Sequence, residues 1–112
     1  MRKIKFRAWD NIAKSMYLVS EMYQHIEDDG FTKKDSILMQ FTGLYDVNGK
    51  EIYEGDIIKH RYFSKKGIAD VRWSNEQGYY LAIEPDGSRT MLNPNSEIIG
   101  NIYENPELIQ NK

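Results

Sequence analysis

Turn-forming residues interrupt this chain of 112 residues at short intervals, and their spacing largely decides its fold class. In the second half of the chain, four short turns rich in turn formers separate five apolar segments. These segments span residues 56–63, 67–73, 78–84, 89–92 and 97–103, and each is predicted to be a strand. Five short strands at this spacing predict a small antiparallel barrel rather than a βαβ unit.

The N-terminal part is predicted to begin with a hairpin. Residues 4–10 alternate, with apolar residues on one face and the basic residues and Trp9 on the other, which is typical of a half-buried strand. Turn residues at 10–14 lead into a return strand at 15–20. The next stretch, 20–36, is acidic and poorly periodic, and it is predicted to be a variable loop.

A second hairpin is predicted in the middle of the chain. Residues 37–44 carry apolar side chains on both faces, with Leu38 and Leu44 on one of them, which predicts a strand covered on both sides. Asn48 and Gly49 then form a strong short-range hairpin signal, because a type I′ turn needs positive φ at both central positions.

Three carboxylates follow that hairpin and raise the question of chemistry. Glu51, Glu54 and Asp56 lie close together in the sequence, and paired carboxylates can run acid–base hydrolysis or hold a divalent cation. However, Gly55 lies between the last two and predicts a sharp bend, so these two are not expected to share a strand face. Asp56 is expected to accept backbone hydrogen bonds at the bend. We therefore predict no catalytic residue, no metal site and no cofactor.

Composition narrows the classes of protein further. The absence of cysteine excludes a disulfide scaffold, a zinc–thiolate cluster and a thiol nucleophile. No apolar run is long enough to cross a membrane, and the basic N-terminus lacks the apolar core of a signal peptide. We expect a protein of the host-cell cytoplasm that does not bind membranes. Although the net charge is only −2, basic and acidic blocks alternate along the chain.

Three stretches carry a resemblance to a known family. The segments IKFRAWD (4–10), MQFTGLYDVNGKEIYEGDII (39–58) and IIGNIYENPEL (98–108) closely resemble the YopX family of phage and prophage proteins. The resemblance implies a phage-derived intracellular protein with an SH3-like β-barrel in its C-terminal part. It implies no activity and supplies no catalytic residue.

The combined prediction is a mainly β chain that forms one structural unit. It comprises an N-terminal β-hairpin region at 1–53, with the variable loop and the linking hairpin, and an SH3-like barrel at 54–112. Near the C-terminus, Asn105 as N-cap and Pro106 at the first position predict one helical turn.

Two kinds of binding function fit this architecture. One is protein interaction or self-assembly, with a homo-oligomer or a host or phage protein as partner, because exposed strand edges and aromatic surfaces invite pairing with another chain. Trp9 and Tyr80 are expected to be surface residues at such an interface, whereas Trp73 and Tyr79 are expected in the core.

The alternative is nucleic-acid binding. Basic and aromatic residues interleave over residues 59–66, a pattern by which small barrels follow a phosphate backbone and stack bases. The candidate residues are Lys59, Arg61, Phe63, Lys65 and Lys66. Lysines on strands and hairpin tips also protect edges against aggregation, and the acidic overall charge disfavours unspecific DNA binding. Protein interaction is therefore placed first.

Overall fold

The computed structural model describes residues 4–19, 36–60, 67–92 and 95–110. These residues form strands and one short 3₁₀ helix at Pro106–Ile109, so the prediction of a mainly β protein is confirmed. The strands are β1 (Phe6–Asp10), β2 (Ser15–Leu18), β3 (Ser36–Tyr45), β4 (Glu51–Tyr53), β5 (Asp56–His60), β6 (Ile68–Ser74), β7 (Tyr79–Ile83), β8 (Arg89–Met91) and β9 (Ser96–Asn101).

The strands form two antiparallel sheets that meet at one turn. The first sheet has the order β2-β1-β3-β4, and the second has the order β8-β7-β6-β5-β9. The chain passes from the first sheet to the second between Tyr53 and Asp56, where Gly55 has φ +87°. The predicted bend at Gly55 is therefore confirmed. The second sheet curls into a half-barrel, and the finer expectation of an SH3-like form stays a prediction.

The core lies against the concave side of the half-barrel and draws on both sheets. Ile52 from β4 packs in one cluster with residues of β5, β6 and β7, among them Ile58, Val71 and Ala82. All four side chains are almost completely buried. The first sheet thus contributes a side chain to the core of the second, and burying aliphatic groups of this size stabilises a fold by about 1.5–3 kcal/mol each.

The hairpin at Asn48 and Gly49 forms, but its turn is not the predicted type. Gly49 has φ +81°, whereas Asn48 is not among the described residues with positive φ, so the turn is not type I′. The Gly49 N–H donates to the Asp46 carbonyl (3.0 Å), and the Asp46 N–H donates to the Lys50 carbonyl (2.8 Å). This pattern is a three-residue hairpin loop in which Gly49 takes the left-handed position of a bulge.

Strand β3 is covered less completely than predicted. Met39 and Phe41 are buried, but Leu38 and Leu44 are exposed, so the prediction that both faces of this strand are covered is wrong. The half-barrel covers the strand only in part. Apolar content alone does not distinguish a second buried face from an exposed apolar surface.

Two hairpins of the molecule share a four-residue turn but place different residues at its left-handed position. In the turn after β1, the Lys14 N–H donates to the Asp10 carbonyl (2.7 Å). In the turn after β6, the Gly78 N–H donates to the Ser74 carbonyl in the same way (2.8 Å). Lys14 has φ +57° and Gly78 has φ +76°. A side chain in this conformation costs about 1–2 kcal/mol, which glycine avoids.

Exchanging the residues at these two positions is therefore expected to change stability in opposite directions. Lys14→Gly removes the strain at an exposed turn and should raise the free energy of unfolding by roughly 0.5–1 kcal/mol. Gly78→Ala introduces the same strain, although a Cβ there would contact no neighbouring atom. This substitution should lower the free energy of unfolding by about 1 kcal/mol. Urea unfolding followed by circular dichroism measures both. If both substitutions raised the free energy of unfolding, or both lowered it, the strain assigned to the left-handed position would be wrong.

Candidate functional site

The three carboxylates of the central motif do not converge on one point. Glu51 pairs with Lys5 and accepts a hydrogen bond from the Tyr53 hydroxyl (3.1 Å). Glu54 accepts a hydrogen bond from the Gln40 N–H (2.7 Å) on strand β3. Asp56 accepts one from the Tyr53 N–H (2.8 Å) across the bend, as predicted. Each carboxylate thus bonds to a different part of the scaffold.

Asp56 also forms a buried ion pair with Arg7, which joins the two sheets. The Arg7 Nη2 atom lies 2.8 Å from Asp56 Oδ1, and both side chains are largely shielded from solvent. The same nitrogen donates to the Glu54 carbonyl (3.2 Å), and the guanidinium lies over the Tyr53 ring, 4.9 Å from its centroid. The Arg7 Nε atom is buried without a hydrogen-bond partner among the described residues.

Burial determines the titration of this group of residues. Desolvation raises the pKa of Asp56 above its ordinary value, and the charge of Arg7 opposes that rise only in part. Desolvation together with the hydrogen bond to Glu51 raises the pKa of Tyr53 to about 12. At neutral pH the tyrosine is therefore a neutral hydrogen-bond donor, which is a structural rather than a nucleophilic state.

A second buried carboxylate, Asp46, ties the central hairpin to the last strand. It accepts hydrogen bonds from the N–H groups of Asn48 (2.8 Å) and Lys50 (2.9 Å) in its own turn and of Ile98 (3.0 Å) on β9. Desolvation alone would raise the pKa of Asp46, but these hydrogen bonds together lower it below its ordinary value. Sequence inspection did not single out Asp46, because its third donor lies 52 residues away.

The C-terminal motif fastens the end of the chain through a similar arrangement. The Asn101 side chain accepts hydrogen bonds from the N–H groups of Tyr103 (3.0 Å) and Glu104 (2.9 Å). A Cβ at Gly100 would lie 2.5 Å from the side-chain oxygen of Asn105, so this position has room only for glycine. Asn105 is the N-cap of the 3₁₀ helix and Pro106 begins it, as predicted, but the Asn105 side-chain oxygen accepts from the Asn101 N–H and not from the helix.

These contacts assign the conspicuous acids to the scaffold. Among the described residues, no three His, Asp or Glu side chains lie close enough together to hold a metal ion. Within the same part of the chain, no helix has the length and apolar character needed to cross a bilayer. The described carboxylates of the motif are thus engaged in joining strands and turns.

Comparison with known proteins agrees with the resemblance seen in the sequence. The family model described as "YopX protein" matches residues 20–110, which is most of the chain and includes both the central and the C-terminal motif. This chain belongs to the YopX family. A search of curated proteins found no match.

Two solved structures show the same fold. The crystal structure of protein EF1440 from Enterococcus faecalis superposes with a TM-score of 0.67 at 22% identity, over 98% of this chain and 100% of that one. The crystal structure of protein YopX from Bacillus subtilis gives a TM-score of 0.58 at 20% identity, over 95% and 98% of the two chains. At such low identity these likenesses establish the fold of this YopX family member.

The structure reverses the expected positions of four aromatic residues. Trp9 and Tyr80, predicted at the surface, are only 5% and 8% exposed, so that prediction is wrong. Trp9 stacks on Tyr103, with ring centroids 5.6 Å apart, because the C-terminal segment covers the outer face of β1. Tyr80 faces the core cluster inside the half-barrel. Trp73 and Tyr79, predicted in the core, are exposed, so that prediction is wrong as well. Tyr79 lies on the face of the sheet opposite to its neighbour Tyr80, and Trp73 packs beside Tyr80 at the margin of the core.

Trp73 and Tyr79 border a groove at one end of the half-barrel, and the exposed apolar residues that line it are here called the Trp73 surface. The strand register places Trp73 on the same face of the sheet as Tyr80, and Tyr79 and Met91 on the opposite face, so the groove takes in residues from both faces. The Trp73 surface consists of Leu44 at the end of β3, Trp73 at the end of β6, Tyr79 at the start of β7 and Met91 on β8, which are 37%, 44%, 36% and 57% exposed. All four line one shallow groove of about 270 Å³. Trp73 packs edge-on against Tyr80 (4.9 Å), and its ring N–H donates to Asn75 (2.9 Å).

Trp73 also borders a second depression on its other side. This cleft of about 350 Å³ separates β3 from β6 and the 3₁₀ helix, and Leu38 and Ile109 lie in its wall. Arg72 and Asp70 line it as well and pair with each other (2.6 Å). Glu54 is a further acid in the lining, and its carboxylate accepts the Gln40 N–H. The cleft therefore adds apolar area beside Trp73 together with carboxylates that already bond to the scaffold.

The basic patch lies mostly outside the described residues. Lys59 is exposed on β5, whereas Arg61, Phe63, Lys65 and Lys66 are not described. These four candidates lie outside the described residues, so the nucleic-acid hypothesis stays a prediction.

Removing Arg7 should destabilise the protein strongly and in a pH-dependent way. Arg7→Met leaves Asp56 as a buried, unpaired carboxylate, a change that typically costs about 3–5 kcal/mol. The pKa of Asp56 is raised already and should rise further without Arg7, so the folded state then takes up a proton more readily than the unfolded chain. The stability lost on Arg7→Met should therefore shrink as the pH falls from neutral toward the raised pKa of Asp56. Urea unfolding over this pH range measures it.

Lys5→Met is the matched control for Arg7→Met. The Lys5–Glu51 pair is partly exposed, so its loss should cost less than about 1 kcal/mol. A deficit of Arg7→Met that equals the control, or that does not change with pH, would contradict the role given to the Arg7–Asp56 pair.

Replacing Asp46 should weaken the link between the central hairpin and β9. Asp46→Asn cannot satisfy three N–H donors equally and should cost about 1–3 kcal/mol at neutral pH. Because the folded-state pKa of Asp46 is lowered, its stabilisation is fully present above 3.8, the ordinary value, and is lost as the pH falls through the folded pKa. The difference between wild type and variant should therefore narrow in acid. Unfolding curves at neutral pH and in acid test this.

Asp86→Asn provides the comparison for Asp46→Asn. Asp86 is exposed and bonds to Ser88 within its own turn, so its replacement should have the smaller effect. An equal loss for both variants would mean that the bond from Asp46 to Ile98 adds nothing beyond a local turn.

Proposed function

We propose that this YopX family member is a non-enzymatic binding protein whose partner is an extended segment of another polypeptide, and that the Trp73 surface makes the contact. The phage or prophage origin and the cytoplasmic location implied by the family resemblance are part of this proposal. The observation that carries it is the exposure of four large apolar side chains around one groove. Contiguous apolar patches on soluble proteins often mark interaction sites.

The lining of the groove supports binding rather than catalysis. No carboxylate, histidine, lysine or arginine is among the described residues that line the groove under Trp73. An enzyme site brings together titratable groups that can act as nucleophile, acid or base. A groove with aromatic and aliphatic walls instead recognises apolar side chains, and Trp and Tyr are the residues that most often dominate binding energy at interfaces.

The size of the surface favours a segment over a whole folded partner. The exposed fractions of its four side chains sum to at most roughly 400 Å² of mainly apolar area. Only part of that area faces the groove, because the side chains lie on both faces of the sheet. A standard stable interface buries about 800 Å² on each partner. A second copy that docked on this surface alone would therefore bury too little area for a stable dimer, whereas a short extended segment would be largely accommodated.

Selection of peptides from a random display library, followed by titration of the selected peptides, tests this proposal. In a Trp9→Phe background Trp73 is the only tryptophan, so its fluorescence reports contact at the proposed surface directly. Peptides that bind the protein should shift this fluorescence. The double variant Leu44→Ala/Met91→Ala should weaken their binding by about tenfold or more, because two apolar contacts of the groove are lost.

Ile12→Ala is the control variant, because Ile12 is a highly exposed apolar residue in the turn after β1 and lies outside the groove. It should leave the Kd of the peptides unchanged. Peptides that bind the double variant as tightly as the wild type would overturn the assignment of the surface. Salt-dependent binding of labelled oligonucleotides, together with no selected peptide, would favour the nucleic-acid alternative instead.

A further inference from the structure

The strand next to the Trp73 surface lies at an edge of its sheet. β8 (Arg89–Met91) is the terminal strand of the second sheet, and no described strand pairs with its outer side. An edge strand presents backbone N–H and C=O groups that can pair with a further strand. The inference below rests on the proposed function, because it specifies how the peptide partner of the Trp73 surface would bind.

The hydrogen bonds around β8 indicate which of its backbone groups point outward. The Glu84 N–H donates to the Ser88 carbonyl (2.9 Å), and the Leu92 N–H donates to the Tyr80 carbonyl (3.3 Å). Residues 88 and 92 therefore direct their backbone groups toward β7, and Thr90, between them, shares this direction. In an antiparallel pair the direction alternates along the strand. The backbone groups of Arg89 and Met91 therefore point to the outer side of the sheet.

The side chains of the same two residues offer two different contacts on one face of β8. Met91 lines the apolar groove of the Trp73 surface. Arg89 is exposed and forms no ion pair with any described residue. Because side chains alternate along a strand, Arg89 and Met91 lie on the same face, two residues apart. The Met91 carbonyl accepts a long hydrogen bond from the Thr90 hydroxyl (3.5 Å), which can rotate away. The edge thus combines outward-facing backbone groups, an apolar groove and a cationic side chain.

We infer that β8 accepts an extended polypeptide segment as an additional strand, and that the segment carries a large apolar residue and an acidic residue two positions apart. Backbone hydrogen bonds to Arg89 and Met91 would hold the segment. The apolar residue would occupy the groove beside Met91, and the carboxylate would face Arg89. In strand addition, backbone bonds supply affinity and alternate side chains supply specificity.

The charge of Arg89 argues against a second copy of this chain as the added strand. If two copies of β8 paired with each other, their two arginines would lie at neighbouring positions of a very short ladder. Like charges in a strand pair are destabilising, and cationic residues on edges are a common protection against self-pairing. An acidic segment from a different polypeptide meets no such repulsion.

Synthetic peptides of eight residues with capped ends test this inference. The first peptide has a threonine-rich strand sequence with Leu and Glu two positions apart. The second has the same composition with Leu and Glu adjacent, so that one of them must face away from the surface. Titration in the Trp9→Phe background should give a Kd about tenfold lower for the first peptide. Arg89→Glu should weaken its binding, and replacing Glu in the peptide by Lys should then restore it.

N-methylated peptides separate backbone pairing from simple apolar contact. One carries methyl groups on Leu and Glu, and the other carries them on the residues between and beside these two. Only one of the two sets faces β8, so only one methylated peptide should lose binding. If both bind as tightly as the parent peptide, or if the spacing of Leu and Glu has no effect, strand addition is wrong.

The variants of the Trp73 surface keep the two proposals distinguishable. Peptides that bind regardless of spacing and methylation, but lose affinity to Leu44→Ala/Met91→Ala, would overturn strand addition and leave the proposed function intact. Peptides whose affinity changes neither with spacing and methylation nor with Leu44→Ala/Met91→Ala would overturn both strand addition and the proposed function. A protein that sediments as a dimer and loses that dimer on Met91→Ala would assign the edge to a second copy and overturn the inference.

Discussion

The ion pair between Arg7 and Asp56 is the contact on which the arrangement of the two sheets depends. It joins the first strand to the residue that opens the second sheet, at a point where both charges are largely removed from water. Such a pair contributes little net free energy relative to apolar packing, but breaking it leaves a buried charge. Arrangements of the two sheets that separate Arg7 from Asp56 are therefore disfavoured, and Ile52 packs across the same junction.

The conspicuous residues of the family motifs make contacts within the scaffold. Asp46, Glu54 and Asp56 accept backbone N–H groups, and Gly55 and Gly100 occupy positions where a side chain is strained or has no room. Buried carboxylates surrounded by N–H donors and a guanidinium are typical of strand junctions. The surface that we assign to binding lies mostly outside the motifs: of its four side chains, only Leu44 belongs to one.

Local signals predicted most of the strands and the bend at Gly55, because alternation and glycine act over a few residues. The burial of individual aromatic residues was not predictable in the same way. Trp9 is buried by Tyr103, which lies at the other end of the chain, and Tyr79 is exposed because the pairing of β6 with β7 turns it away from the core. The type of the Asn48–Gly49 turn was mispredicted because Asp46 holds the loop in a different hairpin geometry. Each error thus comes from a contact beyond the local pattern.

The contacts that close this fold also set the order in which it can form. Lys5 meets Glu51, Arg7 meets Asp56, and Asp46 meets Ile98, so the stabilising contacts join residues about fifty positions apart. Loop closure over such distances slows folding relative to helical proteins of the same size. During synthesis, the N-terminal hairpin would leave the ribosome long before β9 exists to donate the Ile98 N–H to Asp46. The edges of the early strands would therefore remain unpaired until the last part of the chain has been synthesised.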